Sequence, residues 1–298
     1  MKSTEKEIRV SGRLLRIARL DAELYLFLTD PEPMIEHLRQ GQERIDIFTF
    51  IQSLPDTKPS FEYPMEWDNL AVLPISTFEN WWNKQICFKA RNKAKQAEKK
   101  GVVIREVEFD ENLARGIWQI YNESPVRQGR KFRHYGKDFE TVYREEATYL
   151  NNSTFIGAFV GEELIGFIKL VADEKGVQAG LMNIVSMIQH RDKAPTNALV
   201  AQAVKSCADR GISHLVYANY AYGNKQQDGL VDFKERNGFQ RVEIPRYYVP
   251  LTLFGRVALR LGFHHRLVDR IPEPVANRLR EFRKRWHSRN TRLPKEVS

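Results

Sequence analysis

After Gly101 the hydrophobic period of the chain switches between two and three-to-four residues in a fixed succession, which few architectures accommodate. Residues 102–109 alternate as a strand. Asp110 then supplies N-cap chemistry to a helix whose apolar positions Leu113, Ile117, Ile120 and Tyr121 share one face, ending before Pro125. A basic loop, 126–136, leads into a second helix over 137–151. Residues 155–160, 164–172 and 177–189 read as three strands, the first two joined by the turn Gly161-Glu162-Glu163. A helix over 197–210 stops at Gly211. A strand over 212–219, a helix over 228–236 and strand character over 240–251 complete the series. The expected class is α/β (α+β), with a mixed, mostly antiparallel sheet flanked by helices.

The first 85 residues are punctuated differently and read as a smaller α/β domain. Residues 8–18, 22–28 and 45–51 have strand character, 33–40 is a helix opened by Pro31 and Pro33, and prolines 55, 59, 64 and 74 break the pattern. From Thr77, an N-cap residue, one helix is expected to run to Gly101, its second half strongly cationic over 89–100. The expected divisions are 1–85, 86–251 and a basic helical tail, 252–298.

Charge separates the tail from the rest. Residues 251–298 hold 12 of the 47 Lys/Arg but only four of the 38 acids, leaving 35 cations against 34 anions elsewhere. The net charge of +9 therefore belongs mainly to an appended surface for anionic partners. Basic pieces carrying Leu, Phe and Trp suit an anionic membrane surface; docking on the N-terminal domain is the alternative. Two cysteines, Cys87 and Cys207, form neither a disulfide framework nor a metal knuckle. No stretch reaches the roughly 18 apolar residues of a membrane span, and residues 1–7 have no apolar segment, so a cytoplasmic protein, with peripheral membrane contact at most, is expected. GxGxxG, Walker A, GxSxG and HExxH motifs are absent, which argues against dinucleotide oxidoreductases, P-loop NTPases, serine hydrolases and zincins.

The element order over about 150 residues resembles the GNAT acyltransferase fold, and the local sequence narrows the comparison. Phe233-Lys234-Glu235-Arg236-Asn237-Gly238-Phe239, led by Gly229-Leu230, and the basic run over 91–101 resemble the Fem-like branch, the peptidoglycan-bridge aminoacyltransferases. That resemblance implies two GNAT units in tandem, with residues 1–85 as a truncated first copy. It also implies a wedge between the strand ending near Gln189 and the one ending near Tyr217, open to a thread-like donor. In GNAT enzymes an Arg/Gln-x-x-Gly-x-Gly/Ala loop beside this wedge presents backbone N–H groups to the pyrophosphate of coenzyme A. The corresponding residues here are Ile188, Gln189, Arg191, Ala194, Thr196 and Asn197. Ala194 and Thr196 stand in the glycine positions, Pro195 lacks a donor, and Asp192 adds the wrong sign. Either this loop binds an acyl-CoA, or Thr196 merely caps the following helix. Fem-like enzymes take an aminoacyl ester of tRNA instead, which relaxes the demand on the loop and gives the basic segments a phosphate-binding use.

Amide formation by acyl transfer needs a held carbonyl, a destination for the amine proton, and stabilisation of developing negative charge. By resemblance Lys234 supplies the last, with Tyr222 (or Tyr220) as an alternative phenol; an exposed helical lysine is the plain reading. His134, in a loop expected to overhang the acceptor, is a base candidate with a pKa suited to neutral pH. Arg127, Arg130, Arg133 and Tyr135 of that loop, with Arg246 and Tyr247 of the closing hairpin, would bind an anionic acceptor. His190 is a second base candidate. His264-His265 has no Cys or acidic residue at ligand spacing along the chain, and no metal site is expected. The expected function is an N-acyltransferase moving an acyl or aminoacyl group to an amine of an anionic small molecule or envelope precursor. The alternative is a non-catalytic GNAT-fold module that binds an anionic ligand, membrane or polymer.

Overall fold

The computed structural model describes residues 8–21, 23, 28, 30–127, 129–221 and 229–265. The strand character expected over 22–28 falls almost wholly outside the described residues, and so do Tyr222 and the tail beyond His265.

A single ten-stranded sheet runs through the described chain. Its first edge is a hairpin of β1 (Ile8–Ser11) and β2 (Ile17–Leu20); residues 8–18 therefore fold back on themselves at Gly12, whose φ of 90° suits a residue without Cβ. α1 (Glu32–Gln40) crosses to β3 (Ile47–Ile51), parallel to β2. β4 (Met65–Pro74) is a ten-residue strand where the sequence reading found only proline breaks. Its N-terminal half is polar, and its burial comes from strands far along the chain. β11 (His214–Val216) pairs with it on one side and β12 (Gln240–Pro250) on the other, both antiparallel.

The helix expected over 77–101 is two pieces. Thr77 caps α2 (Phe78–Asn80) through Oγ1, the chain passes into a π turn (Trp81–Gln85), and it straightens at Ile86 and Cys87 before α3 (Phe88–Lys99). The interruption has a tertiary cause, since the Cys87 N–H donates to the carbonyl of Arg236 and Trp81 Nε1 to that of Asn237. α3 buries only Ala90, Ala94 and Ala97, a small-residue stripe that lies close to α6 (Pro195–Asp209) and leaves the cations in solvent.

The other half of the sheet follows the expected order. β5 (Val103–Val107), α4 (Glu111–Asn122) and α5 (Phe139–Glu146) lead into the meander β8 (Ser153–Val160), β9 (Glu163–Ala172) and β10 (Gln178–Ser186). Asp110 and Asp138 cap α4 and α5. Between those helices the basic loop closes as a small hairpin, β6 (Val126–Arg127) and β7 (Arg130–Lys131). α3 and α6 cover one face of this half; α4 and α5 cover the other with Leu113, Ile117, Ile120, Tyr121 and Val142. β9 is consequently buried from Leu164 to Val171, the signature of a central strand covered on both sides. α7 (Gly229–Arg236) ends at Gly238, where φ is 87° and the N–H of Phe239 returns to the carbonyl of Lys234; α8 (Leu253–Arg260) follows β12.

Candidate active site

The sheet opens where the resemblance requires it. β10 and β11 are parallel neighbours for three register pairs only, Gln178 with His214, Ala179 with Leu215 and Gly180 with Val216. β10 continues to Ser186 paired with β9 alone, through a bulge between Leu181 and Asn183. β11 ends at Val216, and the chain beyond it bonds to β4: the N–H of Tyr217 donates to Ala71, that of Ala71 donates back to Ala218, and Ala218 holds φ of 48°. Beyond Gly180, β10 therefore has no register pair with β11, and the two strands part.

Lys234 lies against the chain that leaves β11. It is fully buried, and its Nζ donates to the carbonyl of Asn219 at 2.5 Å and lies 4.8 Å from the centre of the Tyr217 ring. Burial lowers its pKa from 10.5 to about 8, which leaves it mostly cationic at pH 7. Asn219 is itself fixed, its amide donating to Asp68 Oδ1 at 2.8 Å and to the carbonyl of Asn69 at 3.2 Å. Phe233 packs edge-on to Tyr217 beside the lysine. Asn237, buried at the end of α7, meets Asn197 of α6 at 3.5 Å, which brings the ends of the two helices together.

The 188–197 segment, which joins β10 to α6, does not have the form of a pyrophosphate loop. The N–H groups of Ile188 and Gln189 both donate to the Glu123 carboxylate, at 2.7 and 2.9 Å. Ala194 takes the left-handed conformation at the N-cap of α6 without a side-chain cap, Pro195 occupies the first turn, and Thr196 bonds Ser186 Oγ at 3.0 Å. Thr196 is thus not the cap. Arg191 is exposed, and Asp192 is held by Lys100, at the C-cap of α3, at 2.8 Å, which keeps its carboxyl below the usual range. His190 pairs with Glu163 at 3.2 Å.

The basic loop turns some residues inward and others to solvent. Arg127 is a strap: its guanidinium donates to the carbonyls of Ser186 and Ile120 and to Glu123 Oε2, at 2.6, 2.7 and 3.0 Å. Arg130, Arg133 and Tyr135 are exposed. His134 lies inward, its ring 4.3 Å from that of Tyr121, with Arg133 Nε donating to its Nε2 at 2.8 Å. Burial first, then the Arg133 and Lys137 charges, lower its pKa to about 3, so it is neutral and only weakly basic at pH 7. The pKa suited to neutral pH that the sequence suggested does not survive folding.

Arg246 and Tyr247 are not brought to this loop. They lie on β12, four strands from β9 across the sheet. The Arg246 guanidinium is bidentate to Glu23, at 3.0 and 3.1 Å, and bonds Asp68 at 2.9 Å. Tyr247 is fully buried, its hydroxyl donating to Gln52 Oε1 at 2.7 Å and accepting the N–H of Ser60.

Sequence reasoning missed a buried polar network under the basic loop. Glu146 accepts from Tyr121 Oη at 2.8 Å and from Asn183 Nδ2 at 3.0 and 3.1 Å, while Lys169 Nζ donates to the carbonyls of Glu146 and Thr148, each at 2.7 Å. Burial raises the Glu146 carboxyl and lowers Lys169 to about 8. Asn183 lies at the bulge of β10, so this network anchors the strand where it leaves β11. The available signal was the spacing of Val142 and Glu146, i and i+4 on the inward face of α5.

Among solved structures, the chain superposes on the C-terminal DUF2156 domain of a protein assigned as a lysylphosphatidylglycerol synthetase from Agrobacterium fabrum, with TM-score 0.55 and 14% identity over 85% of this chain and 82% of that one. FemX gives TM-score 0.55 and 10% identity over 85% of each chain. L-PGS from Bacillus licheniformis gives TM-score 0.57 and 12% identity over 88% of this chain and 84% of that one. The chain shares the fold of these three structures. No family model and no curated protein matches the sequence.

Proposed function

We propose that this chain is an aminoacyl or acyl transferase that accepts an activated ester in the cleft between β10 and β11 and passes the acyl group to an amine. The observation that carries the reading is the parting of those two strands after three register pairs, with a buried cationic lysine held against the chain that leaves β11. In the reaction the amine nitrogen attacks the donor carbonyl, the N–C bond forms as the ester C–O bond breaks, and the proton lost by nitrogen ends on the leaving oxygen. Lys234 stabilises the negative charge that gathers on oxygen along this path. Aromatic packing and the Asn219 carbonyl hold its ammonium in place before the donor arrives.

The donor we favour is an aminoacyl ester of tRNA. The taken N–H groups of Ile188 and Gln189, the donor-less Pro195 and the carboxylate of Asp192 all work against a coenzyme A pyrophosphate, and no step is routed through one. The exposed cations of α3 offer phosphate contacts beside the same cleft. On the acceptor side, Arg130 and Arg133 suit an anionic amine-bearing molecule or envelope precursor. No helix among the described residues is long and apolar enough to cross a membrane, while α8 exposes Leu253, Phe254 and Val257 beside Arg256 and Arg260, which suits peripheral contact with an anionic bilayer.

A thermal-shift comparison tests the donor. A non-hydrolysable aminoacyl-tRNA analogue is expected to raise Tm, with acetyl-CoA leaving it unchanged. A shift with acetyl-CoA alone would transfer the reading to thioester chemistry. If neither ligand acts, the non-catalytic binding module takes precedence.

A further inference from the structure

Folding sets a carboxylate from 198 positions away in the chain, Glu66, against His264 and His265. α8 ends at Gly262, whose φ of 70° lets the N–H of Phe263 return to the carbonyl of Ala258, and the reversed chain lays both imidazoles against β4. There His264 Nε2 and His265 Nε2 approach the same oxygen, Glu66 Oε1, at 2.9 and 3.1 Å. One ligand atom from each of the three side chains falls within 4.8 Å of the others. We infer that Glu66, His264 and His265 form a binding site for a divalent transition metal of the zinc type.

The donor set is two imidazoles and a carboxylate, the composition of three-ligand zinc sites that leave a fourth position for water. Donors on a tetrahedral ion with bonds of about 2.0–2.1 Å stand roughly 3.3 Å apart, so the two distances to Glu66, 2.9 and 3.1 Å, need to widen by a few tenths of an ångström, and the imidazole donors, within 4.8 Å of each other, need to settle to the same spacing. The outer contacts already orient the ligands. Tyr248 donates to the other oxygen of Glu66 at 3.3 Å, and its ring lies 4.6 Å from that of His264. His264 is 5% exposed at its side chain, and its Nδ1 has no hydrogen-bond partner among the described residues. Glu66 and His265 are each 41% exposed, giving the ion a route in and the open position a solvent face.

The ion would pin the end of α8 to β4 two residues from Asp68, which fixes Asn219 and through it Lys234. The inference reaches beyond the transfer reading and does not depend on it.

The test is a titration of the full chain, stripped with chelator, with Co²⁺ alone, followed by visible absorption and then by Zn²⁺ displacement. One equivalent with a tetrahedral ligand-field band is expected, together with a rise in Tm on zinc addition. Glu66→Gln, which keeps size and fold, and His264→Ala should each weaken binding by about tenfold or more. His287→Ala and His37→Ala should leave it unchanged. Absence of uptake at micromolar Co²⁺ and Zn²⁺, or wild-type affinity in both Glu66→Gln and His264→Ala, would overturn the assignment.

Discussion

Lys234→Met separates the catalytic reading of Lys234 from a structural one, because the two readings predict opposite pairings of stability and activity. The folded chain holds this ammonium in a fully buried site where its pKa falls from 10.5 to about 8. At 1.36 kcal/mol per unit, keeping it charged below pH 8 costs about 3 kcal/mol relative to the unfolded chain. The sign follows from proton binding. Between about pH 8 and 10.5 the unfolded chain holds the proton that the folded one has released, so wild-type stability from this group is greatest above 10.5 and is lost as pH falls through 8. Methionine, of similar length, carries no such dependence, but it forfeits the hydrogen bond to Asn219 and the contact with Tyr217, together about 2 kcal/mol. At pH 7 the variant should therefore be as stable as wild type or more stable by about 1 kcal/mol. The stability difference should move by about 3 kcal/mol in favour of wild type between pH 7 and 10.5. Urea unfolding across that series measures it, and the tyrosines common to both chains cancel. Turnover should fall by about 10²-fold or more, as for the loss of one oxyanion donor. Parallel pH curves, or unchanged turnover, would refute the reasoning.

His134 should titrate far below a free histidine, its ring staying neutral by NMR down to about pH 4; a midpoint near 6.5 would contradict its burial. With its folded pKa near 3 and its unfolded value at 6.5, it should lower stability as pH falls through that window, and His134→Phe should flatten the loss. Arg246→Met strands Glu23 and Asp68 and should cost about 3–5 kcal/mol in urea unfolding; less than 1 kcal/mol would mean that water already screens the cluster. Gly255→Ala places a Cβ 2.0 Å from the carbonyl oxygen of Asp46, so α8 must lift from the sheet, seen as a lowered Tm and weakened Co²⁺ uptake; an unchanged Tm would show that α8 does not dock there.

The elements after Gly101 were legible because each carries its own period and its own cap: Asp110 and Asp138 close their helices locally, and Gly238 ends α7 with the turn its sequence advertises. β4 was not, since a strand reading Met-Glu-Trp-Asp-Asn before its apolar half is buried only by β11 and β12. The break at Ile86 likewise comes from Arg236 and Asn237, about 150 residues on. At the site, Lys234 was visible from its Phe-Lys setting, while Glu146 hid inside a charged helix segment and the strap role of Arg127 depended on where the Ser186 and Ile120 carbonyls fell.

Local chemistry therefore determined the succession of helices and strands, the cation-rich end of the chain and the residues able to carry charge, because periodicity, capping and composition act within a few positions of the backbone. Tertiary structure decided which of those charges can act. It lowered the basicity of His134 by burying it beside two cations, tied Arg127 and Arg246 to internal acceptors, gave the N–H groups of Ile188 and Gln189 to Glu123, and set Glu66 against two histidines. Protonation, pairing and metal affinity depend on distances of a few ångströms between groups that the chain keeps tens to hundreds of residues apart, and only the folded sheet fixes those distances.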